Sequence, residues 1–328
     1  MTTMMLAERA EAPGKVNLFF AVGPPRPDGY HDVASLYCAV GAVEAVTATL
    51  TRGSGVSVGV AVVPGSLVAQ QQELGTFSLD AVPSDASNLA ARAAHAVLEH
   101  FPPLVGGLHL QIDKAVPVAG GMGGGSADAA AALAAVNRLA ARVSGRPALD
   151  DDALLRLAAA LGADVPFALT GGAAVGTGTG ARLRPVPVGT PLHLVLVAGG
   201  AGLSTPAVYA ELDRLRAERT VPEPRLPEGL EEVLAGGTAH ELAPLLANDL
   251  QAAALSLVPR LGPLPAPDAA AGTLASFVSG SGPTVAHLVA DGSSAERIAQ
   301  RLRDQGAAAL AVVAPWPLAS GRRPLDLT

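Results

Sequence analysis

The sequence predicts an α+β protein in two units. Residues 108–141 run from strand through a glycine-rich loop into helix, and residues 275–313 run strand, strand, helix, strand. Between these blocks, Pro185 and Pro187 interrupt the pattern. At 328 residues the chain is long enough for two domains of ordinary size, which we divide as 1–187 and 188–328. The closing alternation of strands around a helix suits a small α+β sandwich.

Each element has its own signal. In 12–20, Lys15 and Asn17 fall on one face of a period-two pattern and Val16 and Leu18 on the other, as in a strand. Residues 24–29, Pro-Pro-Arg-Pro-Asp-Gly, are dense turn chemistry, and Tyr30-His31 leads into strand-like sequence through Val46 and again over 56–63. Residues 64–87 read as a surface excursion. The pattern then predicts a helix over 89–100, capped near Ser87 or Asn88. Leu108, Leu110 and Ile112 alternate with His109, Gln111 and Asp113, which is a strand, and the alanine-rich stretch 127–141 has strong helix propensity. A further helix covers 149–161, with Asp150 to Asp152 suiting its N-terminus and Gly162 its stop. The glycine-rich stretch 171–180 reads as a hairpin between strands. Beyond the boundary come a strand at 192–197, a helix at 205–219, a Pro/Glu-rich loop at 222–227 and helices around 229–257. Strands at 275–278 and 284–289 flank Ser-Gly-Ser-Gly-Pro, and a helix at 294–305 precedes a last strand at 308–313.

The loop at 117–126, Pro-Val-Ala-Gly-Gly-Met-Gly-Gly-Gly-Ser, carries most of the chemistry. Glycines let many backbone N–H groups face one guest, and the helix start that follows adds unpaired N–H groups and a partial positive charge. Together these make a phosphate cradle. The plain alternative is a flexible linker, which the flanking strand and helix argue against. A Walker-type loop closes on Lys and Ser/Thr, whereas this run closes Gly125-Ser126-Ala127. The glycine spacing 120, 121, 123, 124, 125 does not fit the dinucleotide fingerprint, and the protein-kinase His-Arg-Asp and Asp-Phe-Gly elements are absent.

Composition narrows the rest. Net charge is −7 and the basic residues are scattered, which argues against nucleic acid as a partner. No run of about 18 apolar residues occurs, so no membrane span is expected. The single cysteine, Cys38, excludes an intrachain disulfide, is expected to be a small buried hydrophobe, and suits a reducing cytoplasm. The histidines show no metal-ligand spacing. There are two lysines, Lys15 and Lys114, in a chain whose other basic side chains, histidine apart, are arginine. Against that background each marks a place for a compact point charge on a thin stem.

Several residues have two readings. Lys15 and Asn17 are either a solvated strand face or functional. Asp164, in Leu-Gly-Ala-Asp-Val-Pro-Phe, reads as the N-cap of a short helix, since Pro166 suits a first turn, and as a carboxylate that takes a proton from an attacking hydroxyl, two roles that need not exclude each other. Tyr30 and His31 are either ordinary surface or a stacking and hydrogen-bonding pair for a flat heterocycle. Gly280-Ser281-Gly282 either closes over phosphates or is a tight turn. Asn248-Asp249, on a helical pattern, reads as a structural polar contact.

The glycine loop resembles the Pro-x-x-x-Gly-Leu-Gly-Gly-Gly-Ser-Ser box of the GHMP kinases, with Met122 in place of Leu and Ala127 in place of the second Ser. Six further segments follow the family in order: Ala-Pro-Gly-Lys-Val-Asn-Leu (12–18), Arg-Pro-Asp-Gly-Tyr-His (26–31), Leu-Gly-Ala-Asp-Val-Pro-Phe (161–167), Leu-Ser-Thr-Pro-Ala-Val-Tyr (203–209), Asn-Asp-Leu (248–250) and Ser-Gly-Ser-Gly-Pro-Thr (279–284). The second of these resembles the branch whose acceptor is a cytidyl-diphosphate sugar alcohol. The resemblance implies a two-domain GHMP fold, the first domain like domain 2 of ribosomal protein S5 and the second ferredoxin-like. It implies ATP with Mg²⁺, and phosphorylation of the 2-hydroxyl of a diphosphocytidyl methylerythritol in non-mevalonate isoprenoid synthesis. The alternative acceptor is another small alcohol, homoserine- or mevalonate-like. A nucleotide-binding protein without kinase activity is a third reading, which the presence of Lys15 and Asp164 disfavours.

By the same resemblance Lys15 and Asp164 are catalytic. Pro117, Val118, Ala119, Gly120, Gly121, Met122, Gly123, Gly124, Gly125, Ser126 and Ala127 form the ATP loop, and Asn88 and Lys114 approach the nucleotide. Asn17, Tyr30, His31, Asp164, Thr205 and Tyr209 meet the acceptor, with Tyr30 and Tyr209 sandwiching its cytosine and His31 reading the cytosine edge. No protein-only metal site is implied; Mg²⁺ comes with ATP, near Ser126.

Overall fold

The computed structural model describes residues 6–200, 202–217, 219–261, 268 and 272–316. Its first sheet is built on a long antiparallel hairpin of β1 (Ala7–Pro25) and β2 (His31–Thr51). The strand order is β3 (Val56–Val62), β4 (Gly107–Lys114), β2, β1 and the two-residue β8 (Ala247–Asn248). The lower half of β2 also pairs with β5 (Ala173–Gly178), which turns back through β6 (Arg182–Pro185). The glycine-rich stretch expected to join two strands thus supplies one of them.

Helices α2 (Leu89–Leu98), α3 (Gly124–Ser144), α4 (Asp151–Leu161) and α5 (Val165–Thr170) cover one face of this sheet. α3 is buried on nearly every side. Ala129 to Ala132 are 0% exposed, and their small side chains let the helix axis lie close to β1 and β2 with α2 packed on its other flank. That proximity fixes where the N-terminus of α3 points, and hence where the glycine loop opens.

The second sheet runs β11 (Ala309–Ala314), β7 (Leu192–Val197), β10 (Val285–Val289), β9 (Thr273–Val278), with every neighbouring pair antiparallel. α6 (Thr205–Arg216), α7 (Leu230–Gly236), α8 (Ala239–Leu242) and α9 (Gln251–Leu257) lie between β7 and β9, and α10 (Gly292–Asp304) between β10 and β11. Val16, Leu18, Leu36 and Val40 of the first sheet share one apolar core with Leu194, Leu196, Ala286 and Leu288 of the second. The two units are therefore packed against each other and not tethered.

Two expectations change. Residues 64–87 are not only surface: α1 (Leu67–Glu73), capped by Ser66, buries Leu67 in the shared core. The stretch expected to be helical around 229–257 is broken by β8, where Ala247 and Asn248 pair in parallel with Phe19 and Phe20. Two residues are too few to show a period, and the flanking apolar spacing masks them.

Candidate active site

The glycine loop leaves the end of β4 and enters α3. Gly121 (φ 78°) and Gly123 (φ 71°) adopt the left-handed backbone that side chains disfavour, and Gly123 is the N-cap of α3. Met122 between them turns inward, fully buried in one core cluster with Val16, Leu18 and Val116, so an apolar side chain anchors the glycines on either side of it. Seven loop residues, Ala119, Gly120, Gly121, Gly123, Gly124, Gly125 and Ser126, line a cavity of about 460 Å³. The start of α3 faces the same space, so unpaired amides and the positive end of a long helix converge there.

Under the loop lies a buried ionic triad. Lys114, at the end of β4, is 1% exposed and donates to Glu44 on β2 at 2.7 Å and to Asp128 on α3 at 2.6 Å. Glu44 also accepts from the backbone N–H groups of Ala115 (2.8 Å) and Val116 (3.2 Å), the residues that open the loop. The triad ties the strand, the first loop amides and the second turn of the helix to one point. Burial drives the Glu44 carboxyl up from 4.5 to about 8, against the pull of Lys114, and burial raises Asp128 in the same direction. For Lys114 burial acts downward, but the two carboxylates outweigh it and raise it.

A carboxyl raised in the folded state binds a proton that the unfolded chain releases. The stability it contributes is complete below 4.5 and is lost as pH rises through about 8. We expect the melting temperature to fall by about 5 °C or more across that window, and the slope to flatten in Glu44→Gln. A scan of melting temperature against pH for both proteins checks this; a wild-type curve that rises across the window would contradict it.

Lys15 and Asp164 face each other on the floor of the cavity. Lys15 is buried in β1, its backbone N–H donates to Met122 O at 2.9 Å, and its Nζ donates to Asn17 Oδ1 at 2.8 Å. Nζ stands 3.8 Å from Asp164 Oδ2 and 5.5 Å from the centroid of the Tyr37 ring. Asn17 in turn donates to Ser35 Oγ at 2.7 Å, and Ser35 to Phe19 O at 3.0 Å, so a buried chain of hydrogen bonds holds the ammonium in place. Asp164 occupies the N-cap position of α5, yet its side chain makes no cap hydrogen bond. Pro166 at the second helical position has no N–H to offer one. Between the two readings of Asp164, the capping one therefore fails: the carboxylate faces Lys15 and the cavity.

Ser279 to Pro283 closes the other wall. Ser279 Oγ donates to Gly121 O at 3.1 Å, and Asn248 Nδ2 donates to both Val278 O and Gly280 O at 2.7 Å. Asn248 is thus the structural contact expected of it, although it sits in β8 and not on a helix. A Cβ on Gly280 would stand 3.0 Å from Asn17 Oδ1 and 3.3 Å from Lys15 Nζ, so only glycine permits this approach. The segment is a tight turn, closed by Gly282 N–H donating to Ser279 O at 2.8 Å, and its Gly280 and Ser281 line the cavity opposite the glycine loop.

A second cavity of about 510 Å³ opens beside the first, lined by Gly29, Tyr30, His31, Pro206, Ala210 and Asp213, and it shares Thr179, Thr205 and Tyr209 with it. Thr205, Tyr209 and Asp213 recur every four residues along α6, which puts them on one face. Thr205 Oγ1 and Ser281 Oγ are 3.0 Å apart. Tyr30 is 64% exposed at the rim, whereas the His31 ring is buried 5.2 Å from that of Tyr209. Burial, then the nearby Asp164, pushes the Tyr209 hydroxyl up to about 12, so it stays neutral.

Comparison with known proteins identifies this arrangement. The GHMP kinases N terminal domain matches residues 88–172 and the GHMP kinases C terminal family matches 230–308. The chain is 47% identical over 315 residues to the 4-diphosphocytidyl-2-C-methyl-D-erythritol kinase of Pseudarthrobacter chlorophenolicus, covering 94% of this chain and 93% of that one. It is 47% identical over 307 residues to the enzyme of the same name from Streptomyces avermitilis, covering 93% and 95%. The chain belongs to this branch of the GHMP kinases. A crystal structure of 4-(cytidine 5'-diphospho)-2C-methyl-D-erythritol kinase superposes with a TM-score of 0.69 at 31% identity, over 94% of this chain and 99% of that one.

Within this GHMP kinase, some residues expected to touch ligand sit behind the site. Lys114 does not reach the cavity: it is sealed under the loop by Glu44 and Asp128, and a Cβ on Gly124 would lie 3.3 Å from its Nζ. Ala127 is fully buried and its N–H is spent on Gly123 O at 2.9 Å, so it does not line the cavity. Asn88 caps α2 through Ala90 N and donates to Pro83 O, which uses both ends of its amide. Asn17 is 0% exposed and supports Lys15 from behind. Pro117, Val118 and Met122 shape the loop without lining the cavity. Sequence reasoning missed Thr179, Tyr37 and Asp213. Of these, Asp213 had a signal in its four-residue spacing from Tyr209.

Among the described residues no helix is long and apolar enough to cross a membrane, and no group of three His, Cys, Asp or Glu side chains is placed to hold a metal ion. Cys38 is buried as expected, and burial pushes its thiol up to about 12.

Proposed function

We propose that the chain transfers the γ-phosphoryl group of ATP to the 2-hydroxyl of 4-diphosphocytidyl-2-C-methyl-D-erythritol, a step of non-mevalonate isoprenoid synthesis. The reading rests on one observation above all. A glycine-amide cavity and an aromatic cavity meet at Thr179, Thr205 and Tyr209, with Lys15 and Asp164 in the former. The names of the relatives at 47% identity support it.

In this reading the loop amides from Gly120 to Ser126 hold the triphosphate, and the start of α3 stabilises its charge. A Mg²⁺ ion arriving with the nucleotide would neutralise phosphate charge, and the Ser126 hydroxyl, which lines the cavity, is the loop side chain suited to meet it. Tyr30 and Tyr209 flank the nucleobase at the outer cavity and so orient the alcohol toward Asp164. Asp164 accepts the proton of the attacking hydroxyl, and Lys15 stabilises negative charge on the carboxylate and the incoming oxygen. Gly280 and Ser281 close the wall beside them and keep water out. Positioning and electrostatics supply most of the rate. The cytoplasm is the proposed compartment, in keeping with a lone buried thiol.

Purified protein with MgATP and a panel of acceptors tests the reading by ADP release. We expect turnover with the cytidyl substrate alone. Turnover with mevalonate or homoserine and none with the cytidyl substrate would replace it with the other GHMP acceptors.

A further inference from the structure

His31 is buried in the wall of the outer cavity, and its Nε2 lies 3.0 Å from Asp213 Oδ1. The pair is separated by 182 residues in the chain, so the contact is made by the fold, with α6 laid across the start of β2. An ionised carboxylate can only accept a hydrogen bond, so Nε2 carries the proton. In a neutral imidazole the other nitrogen, Nδ1, is then an acceptor. Among the described residues Nδ1 makes no hydrogen bond, and it is not among the buried polar atoms left unsatisfied; the ring itself lines the outer cavity. The Tyr209 ring, 5.2 Å from the imidazole and tilted by 37°, and the carboxylate of Asp213 come from the same face of α6 and fix the imidazole from two directions.

From this geometry we propose that Asp213 is a positioning residue that sets pyrimidine selectivity through His31. The inference rests on the reading of the outer cavity as a nucleobase site. By holding the proton on Nε2, Asp213 leaves Nδ1 as a lone-pair acceptor. Cytosine presents an exocyclic amine, a donor, where uracil presents a carbonyl oxygen, an acceptor. A fixed acceptor bonds the first and repels the second, and a buried polar site rejects the analogue that leaves it unpaired far more strongly than an apolar pocket would. Asp213 touches His31 and need not touch the base. In Asp213→Asn the amide can turn its NH₂ toward Nε2; the ring proton then moves to Nδ1 and the edge becomes a donor.

Two readouts separate this inference from the reading it rests on. The first is binding of CDP and of UDP by calorimetry, with the nucleotide loop saturated by a non-hydrolysable ATP analogue. The second is kcat/KM for the cytidyl acceptor and for its uridyl counterpart. We expect the wild-type protein to favour the cytidine ligand in both. Asp213→Asn should cut that preference about tenfold or more, with the loss for the cytidyl acceptor falling on KM more than on kcat. Asp213→Glu, which keeps the acceptor, should restore most of the preference. If Asp213→Asn weakens CDP and UDP alike, or leaves the ratio unchanged, Asp213 is only structural and the inference fails. If CDP is preferred and that preference depends on Asp213 but no cytidyl acceptor turns over, the inference stands and the proposed reaction falls. A wild-type protein that binds neither ligand overturns both.

Discussion

Asp164→Asn should lower kcat by about 100-fold or more and leave ATP affinity and the melting temperature close to wild type. The substitution is nearly isosteric, and the fold gives three reasons to expect a clean result. The Asp164 side chain caps nothing, so α5 does not lose a hydrogen bond. Lys15 keeps its shorter contact, 2.8 Å to Asn17, and so stays seated when the 3.8 Å ion pair is gone. The glycine loop comes near Asp164 at Gly123, where an added Cβ would stand at an ordinary 3.6 Å from Oδ2. What is removed is the ability to accept a proton and the negative half of the pair. Turnover with the cytidyl acceptor, measured beside a thermal melt and an ATP titration, decides the matter. Near-normal kcat would strip Asp164 of its role as base, and a melting temperature lowered by many degrees would show that the residue is structural after all.

Gly121→Ala should be the most damaging single methyl group that the loop can receive. Gly121 has φ 78°, a conformation that costs an alanine about 1–2 kcal/mol by itself. The added Cβ would stand 2.1 Å from Ser279 O and 2.9 Å from Gly282 N. Both neighbours are backbone atoms, so no side-chain rotation relieves the clash. Either the glycine loop or the 279–283 segment must withdraw, and both line the phosphate cavity. We expect a rise in the KM for ATP of about tenfold or more, with a loss of stability of about 2–4 kcal/mol. Gly125→Ala is the matched control: its Cβ would meet only Leu89, at an ordinary 3.7 Å, and its backbone is helical. It should keep the melting temperature of the wild type. Equal melts for the two variants would refute the steric account.

Much of the fold was legible because its signals are local. The alternation of β4, the glycine run and the alanines of α3 lie within some thirty residues, and each carries its own period or propensity. Lys15 was legible through its rarity, and Asp164 through its setting between a helix stop and a proline. The failures share a different cause. Lys114 was placed near the nucleotide by family resemblance; its burial depends on Glu44, 70 residues away, and on Asp128 on the next helix. Glu44 itself sits in an apolar strand without any mark. Asp213 meets His31 only after the two units pack, and Asn17 is fully buried against Lys15 because β1 is covered on both faces. A pattern along the chain reports which way a side chain points, not what the fold later lays over it.

The pairing of β8 with β1 has a consequence for how the chain is made. The outer edge of β1, at Phe19 and Phe20, is closed by Ala247 and Asn248, and Asn248 also ties down the backbone at Val278 and Gly280. A nascent chain emerging from the ribosome therefore holds a sheet with one unsealed border until more than 220 further residues have been synthesised. Throughout that interval Phe20 lacks the partners it has in the finished protein, Val208, Leu250 and Val278 among them. That border of β1 can close only once residues 247 and 248 have been made.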